Sequence, residues 1–216
     1  MKQTAEAQSY GLPRLAPPGA VARRLARQDE AYIRANYLPL SEVAAARSIE
    51  LEEVRRLMAE RHLPQPAYLL DDGTEMVSVY HLDLLEQAGG ADDLEPLFKA
   101  RYRAAVEELG HAPSDAEVHT AWKDYLTGGY GVCLWEVTPE NIARKDLLVQ
   151  SLDHLLTHPR ADDPSWRARV RTEIAELDRL ERPGAPLDDA RWGRRSSRSR
   201  LIEDPRQRYP WVLQRW

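Results

Sequence analysis

Residues 37–85 read YLPLSEVAAARSIELEEVRRLMAERHLPQPAYLLDDGTEMVSVYHLDLL, and this stretch decides the fold. Its first half predicts two helices. Ser41 is a residue type that caps helix N-termini well, so a short helix is expected over residues 40–49. A second helix is expected over residues 50–63, because apolar side chains recur there at helical spacing; they are Leu51, Val54, Leu57 and Met58.

The second half of the stretch predicts a β-hairpin and then another helix. Asp72 and Gly73 form a dipeptide typical of tight hairpin turns, and the flanking residues of 66–79 suit two short strands. Residues 79–90 return to helical spacing and end at Gly89 and Gly90, since glycine readily adopts the left-handed conformation that ends a helix. Helix, helix, hairpin and helix is the order of a winged helix-turn-helix.

The whole chain is predicted to divide into four segments. Residues 1–18 carry Gly11 and three prolines without apolar periodicity, which predicts a flexible arm. A winged-helix-like module over residues 19–90 begins with an amphipathic helix at 20–37. A helical domain follows over residues 91–182, and a basic tail over residues 183–216 is expected to pack partly on the body. The predicted fold class is therefore mainly α, with a winged helix-turn-helix-like module that contains a short β-hairpin.

Within the helical domain, three start signals stand out. Ser114 and Glu117 have the spacing of a capping box, Thr138 precedes Pro139 as an N-cap precedes a first-turn proline, and Ser165 is expected to open the last long helix. The glycine-rich residues 128–134 are predicted to interrupt the helices. Residues 122–145 are nevertheless expected to be an ordered part of the core, because they carry several large apolar side chains.

Composition limits the location of the protein and its covalent chemistry. The chain has 216 residues and one cysteine, Cys133, which excludes an internal disulfide. Neither a signal-like apolar run near the N-terminus nor a membrane-length apolar segment is present in the sequence, so a cytoplasmic protein that does not contact membranes is expected.

Charge is distributed unevenly along the chain. The net charge is -5, but residues 187–216 carry eight arginines against four carboxylates. The remainder is strongly acidic, so an anionic partner is expected to meet the tail. Residues 38–88 carry ten carboxylates against four arginines, namely Arg47, Arg55, Arg56 and Arg61. This acidic balance disfavours DNA binding, which depends on neutralising phosphates.

Two resemblances bear on function. Residues 37–85 resemble the DNA-binding half of the MerR family, with a His62-Leu63-Pro64 exit from the second helix, which implies a DNA-binding transcriptional regulator. The strings DYLTGGYGVCLWEVTPENIARKDLLV (124–149) and LDRLERPGAPLDDARWGRRSSRSRLI (177–202) are similar to an uncharacterised family associated with natural-product biosynthesis gene clusters in actinomycete-type bacteria. That resemblance implies a role in antibiotic or other natural-product biosynthesis and no particular reaction.

The best candidate site combines the glycine-rich segment with the basic tail. Cys133 and Glu136 are candidates for chemistry, and Asn141 and Lys145 are candidates for positioning a ligand. Forked guanidinium donors and hydroxyls in the tail suit a phosphate or carboxylate; they are Arg191, Arg194, Ser197, Arg198 and Arg200. The leading expectation is a biosynthetic-pathway protein that acts on or binds a small anionic metabolite, with a biosynthetic partner protein as another possible partner. The alternative is the DNA-binding regulator.

Each of these candidates has a purely structural interpretation. Cys133 lies between apolar residues, where a thiol is usually buried and inert. His154 and His158 have the i, i+4 spacing of zinc ligands but lie at the end of a predicted helix without a third ligand, so no metal site is predicted. The acidic pairs, including Asp162 and Asp163, fall where carboxylates cap helices. The sequence identifies no cofactor.

Overall fold

We describe a computed structural model, which covers residues 27–184 and 195–213; the predicted arm at residues 1–18 lies outside the described residues. The described chain is mainly helical with a small antiparallel sheet near its N-terminal end. In the N-terminal part, residues 27–90, the elements are α1 (Arg27–Asn36), β1 (Leu38–Pro39), α2 (Leu40–Ala46), α3 (Leu51–Ala59), β2 (Tyr68–Leu69), β3 (Glu75–Val77) and α4 (Asp83–Ala88). The predicted order of helix, helix, hairpin and helix is therefore present.

The sheet has three strands in the order β1-β3-β2, and both pairings are antiparallel. The hairpin between β2 and β3 turns at Gly73, whose φ of +83° is the left-handed conformation that glycine adopts without strain. Asp72 stabilises the turn, because its Oδ1 accepts a hydrogen bond of 2.9 Å from the Thr74 amide. The hairpin prediction is confirmed, whereas β1 was not predicted.

The helical part, residues 91–184, contains five helices among the residues described. They are α5 (Ala91–Glu108), α6 (Asp115–Leu126), α7 (Gly129–Cys133), α8 (Pro139–Thr157) and α9 (Pro164–Leu180). The capping box of Ser114 and Glu117 opens α6, and the Thr138 hydroxyl accepts the Asn141 amide at the start of α8. Both predicted start signals are confirmed.

The last described segment, residues 195–213, returns across the helical part. It contains a π-helical turn (Ser199–Glu203), α10 (Asp204–Arg208) and a 3-10 turn (Pro210–Leu213). Leu201, Ile202 and Val212 are buried in a cluster with side chains of α8 and α9. Residues 195–213 are called the tail segment below.

The largest cluster of buried side chains spans both parts of the chain. Leu40, Val54 and Leu57 from the N-terminal part share this cluster with Phe98 of α5 and Ile142 of α8. A second cluster joins α8 and α9 to the tail segment, and a third joins α1 and the sheet to Val132. The apolar core therefore continues across the predicted boundary at residue 90.

Several local predictions are wrong. Ser41 does not cap α2, because the helix begins at Leu40 and Pro39 occupies the N-cap position. Asp163, rather than Ser165, caps α9, and its carboxylate accepts the Ser165 amide. Residues 129–133 form the short helix α7 rather than a break. Of the large side chains expected in the core there, Trp122, Tyr125, Tyr130, Val132 and Leu134 are buried, whereas Trp135 is 42% exposed.

Across the described residues, none of the helices combines the length and the apolar character needed to cross a membrane.

Candidate functional site

Three of the residues proposed from the sequence, Cys133, Lys145 and Ser197, lie near one another, although they come from distant parts of the chain. The Lys145 side chain is buried, and its Nζ donates to Glu181 Oε1 at 2.5 Å and to Ser197 Oγ at 3.1 Å. Cys133 lies near enough that the Lys145 ammonium lowers the pKa of its thiol, in opposition to burial. These four residues, Cys133, Lys145, Glu181 and Ser197, are called the Lys145 cluster below.

The backbone around residue 181 holds the cluster together. Leu134 and Glu181 form an isolated antiparallel bridge, and the Arg182 amide donates to the Cys133 carbonyl at 2.9 Å. The Trp135 amide donates to the Leu180 carbonyl at 3.1 Å. The end of α9 is therefore bonded along the residues that follow α7, which places Glu181 beside Cys133 and opposite the inward face of α8.

Lys145 carries its positive charge inside the protein. Burial alone lowers the pKa of a lysine, but the contacts of Lys145 with Cys133 and Glu181 outweigh burial and raise its pKa above the ordinary value. An ammonium with such a pKa is a hydrogen-bond donor and not a general base at neutral pH. Ser197 is therefore not activated as a nucleophile by Lys145.

Cys133 is a thiol at neutral pH. It is partly buried, and burial raises the pKa of its side chain, although the neighbouring Lys145 ammonium opposes that effect. Its Sγ lies 3.7 Å from the Tyr130 carbonyl oxygen, to which it donates. Nucleophilic attack by a Cys133 thiolate, which the sequence suggested, has little support in this environment.

Arg182 adds a second buried positive charge next to the cluster. It is 6% exposed, and its guanidinium donates to the carbonyl oxygens of Leu134, Trp135 and Asn36. The same guanidinium lies 4.9 Å from the ring centres of Tyr37 and Trp135. Among the ion pairs of the described residues none includes Arg182, so its charge is met by carbonyl dipoles and aromatic faces.

Asp146, the next residue on α8, takes part in a separate group of hydrogen bonds. Its carboxylate accepts hydrogen bonds from Tyr130 at 2.9 Å and from Tyr102 at 3.0 Å. Burial raises the pKa of Asp146 to about 7, although the two tyrosine hydroxyls and Lys145 oppose that rise. Asp146 therefore exchanges a proton near neutral pH.

Two arginines of the predicted tail site, Arg198 and Arg200, are held by carboxylates of the body. Arg198 pairs with Asp178 at 2.7 Å and donates to the Glu181 carbonyl at 3.3 Å. Arg200 pairs with Asp153 at 2.7 Å. Arg198 thus lies at the edge of the Lys145 cluster and Arg200 does not, whereas Arg191 and Arg194 lie outside the described residues.

Two other predicted residues lie apart from the cluster. Glu136 is exposed, and its carbonyl oxygen accepts a hydrogen bond of 3.1 Å from the Asn141 side chain. The Asn141 amide in turn donates to the Thr138 hydroxyl at the start of α8. These contacts assign both residues to the entry of α8, where they fix the local backbone.

The glycine-rich segment permits close packing between two parts of the protein. Gly128 has a φ of +78°, and a Cβ atom at this position would lie 2.2 Å from the Gln65 carbonyl oxygen. The Gln65 amide also donates to the Leu126 carbonyl at 3.0 Å. Gly128 therefore allows α6 to pack against the residues before β2. This packing accounts for a glycine at position 128, and no bound ligand is needed to explain it.

A small cavity lies beside this contact. It measures about 20 Å³ and is lined by ten residues that include His81, Ser78 and Tyr125. This volume holds about one water molecule. Burial lowers the pKa of His81 to about 4, so the cavity carries no charged side chain and does not suit an anion.

The structure also bears on the histidines considered as zinc ligands. His154 and His158 are exposed, with ring centres 4.8 Å apart. Within the described ranges no group of three His, Cys, Asp or Glu side chains is arranged to hold a metal ion.

Sequence reasoning missed Glu181, Arg182 and Asp146. Glu181 and Arg182 come at the end of a helix rich in charged residues, so the sequence gives no sign that they differ from its solvent-exposed side chains. Their burial depends on the long-range bridge between Leu134 and Glu181. Asp146 lies next to Lys145 in the sequence, but its tyrosine partners are 16 and 44 residues away. The only local signal was the Lys145-Asp146 pair within an otherwise apolar helix face.

The part of the chain that contains the Lys145 cluster matches a known protein family. A model of a family of unknown function, DUF6058, matches residues 94–210, which is more than half of the 216 residues. The matched region begins in α5 and contains the entire Lys145 cluster, whereas residues 37–85 lie outside it. No curated protein and no solved structure matches the chain.

Proposed function

We propose that this chain, which belongs to the DUF6058 family of unknown function, binds a small anionic metabolite beside Lys145 as part of a biosynthetic pathway. The observation that carries the proposal is a local imbalance of buried charge. Lys145 and Arg182 are both buried cations, whereas Glu181, which pairs with Lys145, is a single buried carboxylate. An anionic group that approached this pair would gain charge-assisted hydrogen bonds in a poorly hydrated environment.

Ser197 indicates how such a group would reach the lysine. Its hydroxyl donates to Glu181 Oε1 and accepts from Lys145, and the residue is only partly buried. Ser197 lies at the start of the tail segment, before the side chains that anchor the segment on α8 and α9. We expect an anionic oxygen bound to Lys145 to accept a second hydrogen bond from the Ser197 hydroxyl, which would turn from Glu181, while Arg198, one residue along, contributes a second cation.

The proposal is for binding and assigns no reaction. The raised pKa of Cys133 and the protonated state of Lys145 both argue against nucleophilic or general-base chemistry at this position. The biosynthetic context rests only on the resemblance of residues 124–149 and 177–202 to a family associated with natural-product gene clusters.

A DNA-binding regulator has weaker support, although the order of elements in the N-terminal part is that of a winged helix-turn-helix. The two arginines of α3 are already paired with carboxylates. Arg55 pairs with Glu52 and Glu75, and Arg56 pairs with Glu53 and Glu60. Arg47 pairs with Asp83. Binding to phosphates would require these pairs to break, and the carboxylates left behind would repel the duplex.

The test is a thermal-shift screen of the full chain against inorganic phosphate, pyrophosphate, nucleotides and small mono- and dicarboxylates. We expect at least one anion to raise the unfolding temperature saturably. A ligand at one hundred times its Kd stabilises by about 2.7 kcal/mol. For a chain of this size that corresponds to a shift of roughly 5–10 °C.

Three variants locate the binding. Ser197→Ala should weaken the shift, and the double variant Lys145→Met/Glu181→Leu should abolish it. The double variant removes both buried charges together, so that neither is left unpaired, and we expect the fold to tolerate this exchange. Arg144→Gln is the matched control, because Arg144 is an exposed neighbour on α8 that pairs with Glu176. A shift of equal size in all four proteins, or no shift with any anion, would refute the proposal.

A further inference from the structure

Glu181, the buried carboxylate of the Lys145 cluster, uses its two oxygens unequally. The residue is 1% exposed, and its Oε1 accepts hydrogen bonds from Lys145 Nζ and from the Ser197 hydroxyl. The other oxygen, Oε2, is buried and has no hydrogen-bond partner within the described parts of the chain. A buried carboxylate oxygen without a partner is uncommon and carries a free-energy cost, so it indicates a place where a donor on a ligand can bind.

We propose that the ligand of the Lys145 cluster carries a hydrogen-bond donor on the carbon that bears its anionic group, as an α-hydroxy acid or an α-amino acid does. This ligand class refines, and therefore rests on, the proposed function. The anionic group contacts Lys145 and Ser197, and the neighbouring hydroxyl or ammonium donates to Glu181 Oε2. One buried cation and one buried carboxylate, which already pair with each other, thus contact the two polar groups of the ligand.

Binding of the anion increases the need for a donor on the ligand. When the Ser197 hydroxyl turns from Glu181 towards the anion, Oε1 keeps only one of its two hydrogen bonds, the one from Lys145. The backbone bridge between Leu134 and Glu181 holds the carboxylate inside the protein, so water does not replace the lost donor. A desolvated carboxylate that loses a donor is costly, and a hydroxyl or ammonium on the ligand removes that cost.

The groups of the cluster are close enough for one small molecule to contact all of them. Lys145 Nζ lies 2.5 Å from Glu181 Oε1 and 3.1 Å from Ser197 Oγ. Oε2 belongs to the same carboxylate as Oε1, so the cation that holds the anion and the oxygen that needs a donor are neighbours. In α-hydroxy and α-amino acids the donor is attached to the carbon next to the carboxylate, which places the two groups similarly close. A donor farther along the ligand would not reach Oε2 while the anionic group stays on Lys145.

The experiment measures dissociation constants of the full chain by isothermal titration calorimetry for acids that differ in the donor. Each enantiomer of lactate and of alanine is compared with propionate, and aminomethylphosphonate is compared with ethylphosphonate. We expect the donor-bearing acid to bind at least about tenfold more tightly in one or more of these comparisons, because an unsatisfied buried acceptor costs roughly that factor or more. Lactate and alanine distinguish a hydroxyl from an ammonium donor. 3-Hydroxypropionate, whose hydroxyl lies one carbon farther away, should bind much as propionate does.

Glu181→Gln tests the contact itself. The glutamine keeps the size of the side chain, and its amide oxygen must face the Lys145 ammonium, so the amide nitrogen, which is a donor, takes the position of Oε2. This variant should lose the preference for donor-bearing acids while still binding propionate, because Lys145 and Ser197 remain. Glu176→Gln is the matched control, since Glu176 lies on α9 and pairs with Arg144 outside the cluster, and this variant should keep the preference of the parent.

Different outcomes contradict the ligand class and the proposed function. If the acids with and without a donor bind the parent equally tightly, if 3-hydroxypropionate gains as much as lactate, or if Glu181→Gln keeps the preference, the ligand class is overturned although an anion binds. If none of the acids, the phosphonates and inorganic phosphate binds, the ligand class and the proposed function are both refuted. The comparison among acids in the parent decides the question even if Glu181→Gln does not fold.

Discussion

Asp146 shows how a single buried carboxyl group ties stability to pH. Its pKa in the folded chain is about 7, above the ordinary value of 3.8, because burial outweighs the hydrogen bonds from Tyr102 and Tyr130. A carboxyl group with a raised folded pKa stabilises the fold fully below the unfolded value. That contribution is lost as the pH rises through the folded value.

The first prediction is that the free energy of unfolding falls as the pH rises from about 4 to about 7 and that Asp146→Asn removes much of this fall. One pKa unit between the folded and unfolded states corresponds to about 1.4 kcal/mol, so the effect is on the order of a few kcal/mol. Urea unfolding at several pH values measures it. Asp153→Asn, at the exposed partner of Arg200 on the same helix, is the control. Equal pH dependence in the parent and Asp146→Asn would contradict the assignment.

At the scale of elements, the contact between α6 and the residues before β2 depends on the absence of a side chain at Gly128. An alanine there meets two penalties, a left-handed φ and a Cβ placed 2.2 Å from a backbone oxygen. Gly73 has a similar φ but open space around its Cβ position. A comparison of alanine substitutions at the two positions therefore distinguishes the cost of backbone strain from the cost of steric overlap.

We predict that Gly73→Ala costs about 1 kcal/mol of unfolding free energy, as expected for a left-handed alanine. Gly128→Ala should cost roughly 1–3 kcal/mol more, because the backbone contact has to open. Chemical denaturation of both variants provides the comparison. Equal costs for the two substitutions would show that the close approach to Gln65 does not constrain the fold.

The elements predicted correctly are those with strong local signals. The Asp72-Gly73 turn, the capping box at Ser114 and the Thr138 cap each depend on residues within one turn of the chain. β1 is different, because its two residues include Pro39 and its pairing partners Val77 and Met76 are nearly forty residues away. No local pattern encodes such a strand.

The site could be predicted in part. Cys133, Lys145 and Ser197 were chosen for residue type and sequence context, and the structure brings them together. Glu181 could not be chosen in the same way, because its burial follows from a bridge to Leu134 that joins the end of α9 to the residues after α7. Glu136 and Asn141 lay in the predicted region, but they stabilise the start of α8 instead.

At the scale of the whole molecule, charge decides which partners are favoured. The paired arginines of α3 and the acidic surroundings predict that the full chain binds duplex DNA no more tightly than about micromolar at physiological salt. Gel shift and a salt titration measure this, with Arg55→Ala/Arg56→Ala expected to change the affinity little. Sequence-specific nanomolar binding that the double variant abolished would favour the regulator instead.

The tail segment and the body complement each other in charge. Arg198 and Arg206 share Asp178, and Arg200 pairs with Asp153, so the segment is attached through charges as well as through Leu201 and Ile202. This arrangement places Ser197 over Lys145 and makes access to the lysine depend on the first residues of the segment.

The most direct test of anion binding observes the Lys145 ammonium itself. A buried ammonium bonded to Glu181 and Ser197 should exchange its protons slowly and give a resolved ¹H–¹⁵N signal at Nζ, which Lys145→Met/Glu181→Leu identifies by its absence. Titration with inorganic phosphate, and with the anion that gives the largest thermal shift, should move this signal saturably in the parent and less in Ser197→Ala. An unchanged Lys145 signal at anion concentrations that already shift the exposed Lys123 would contradict the account.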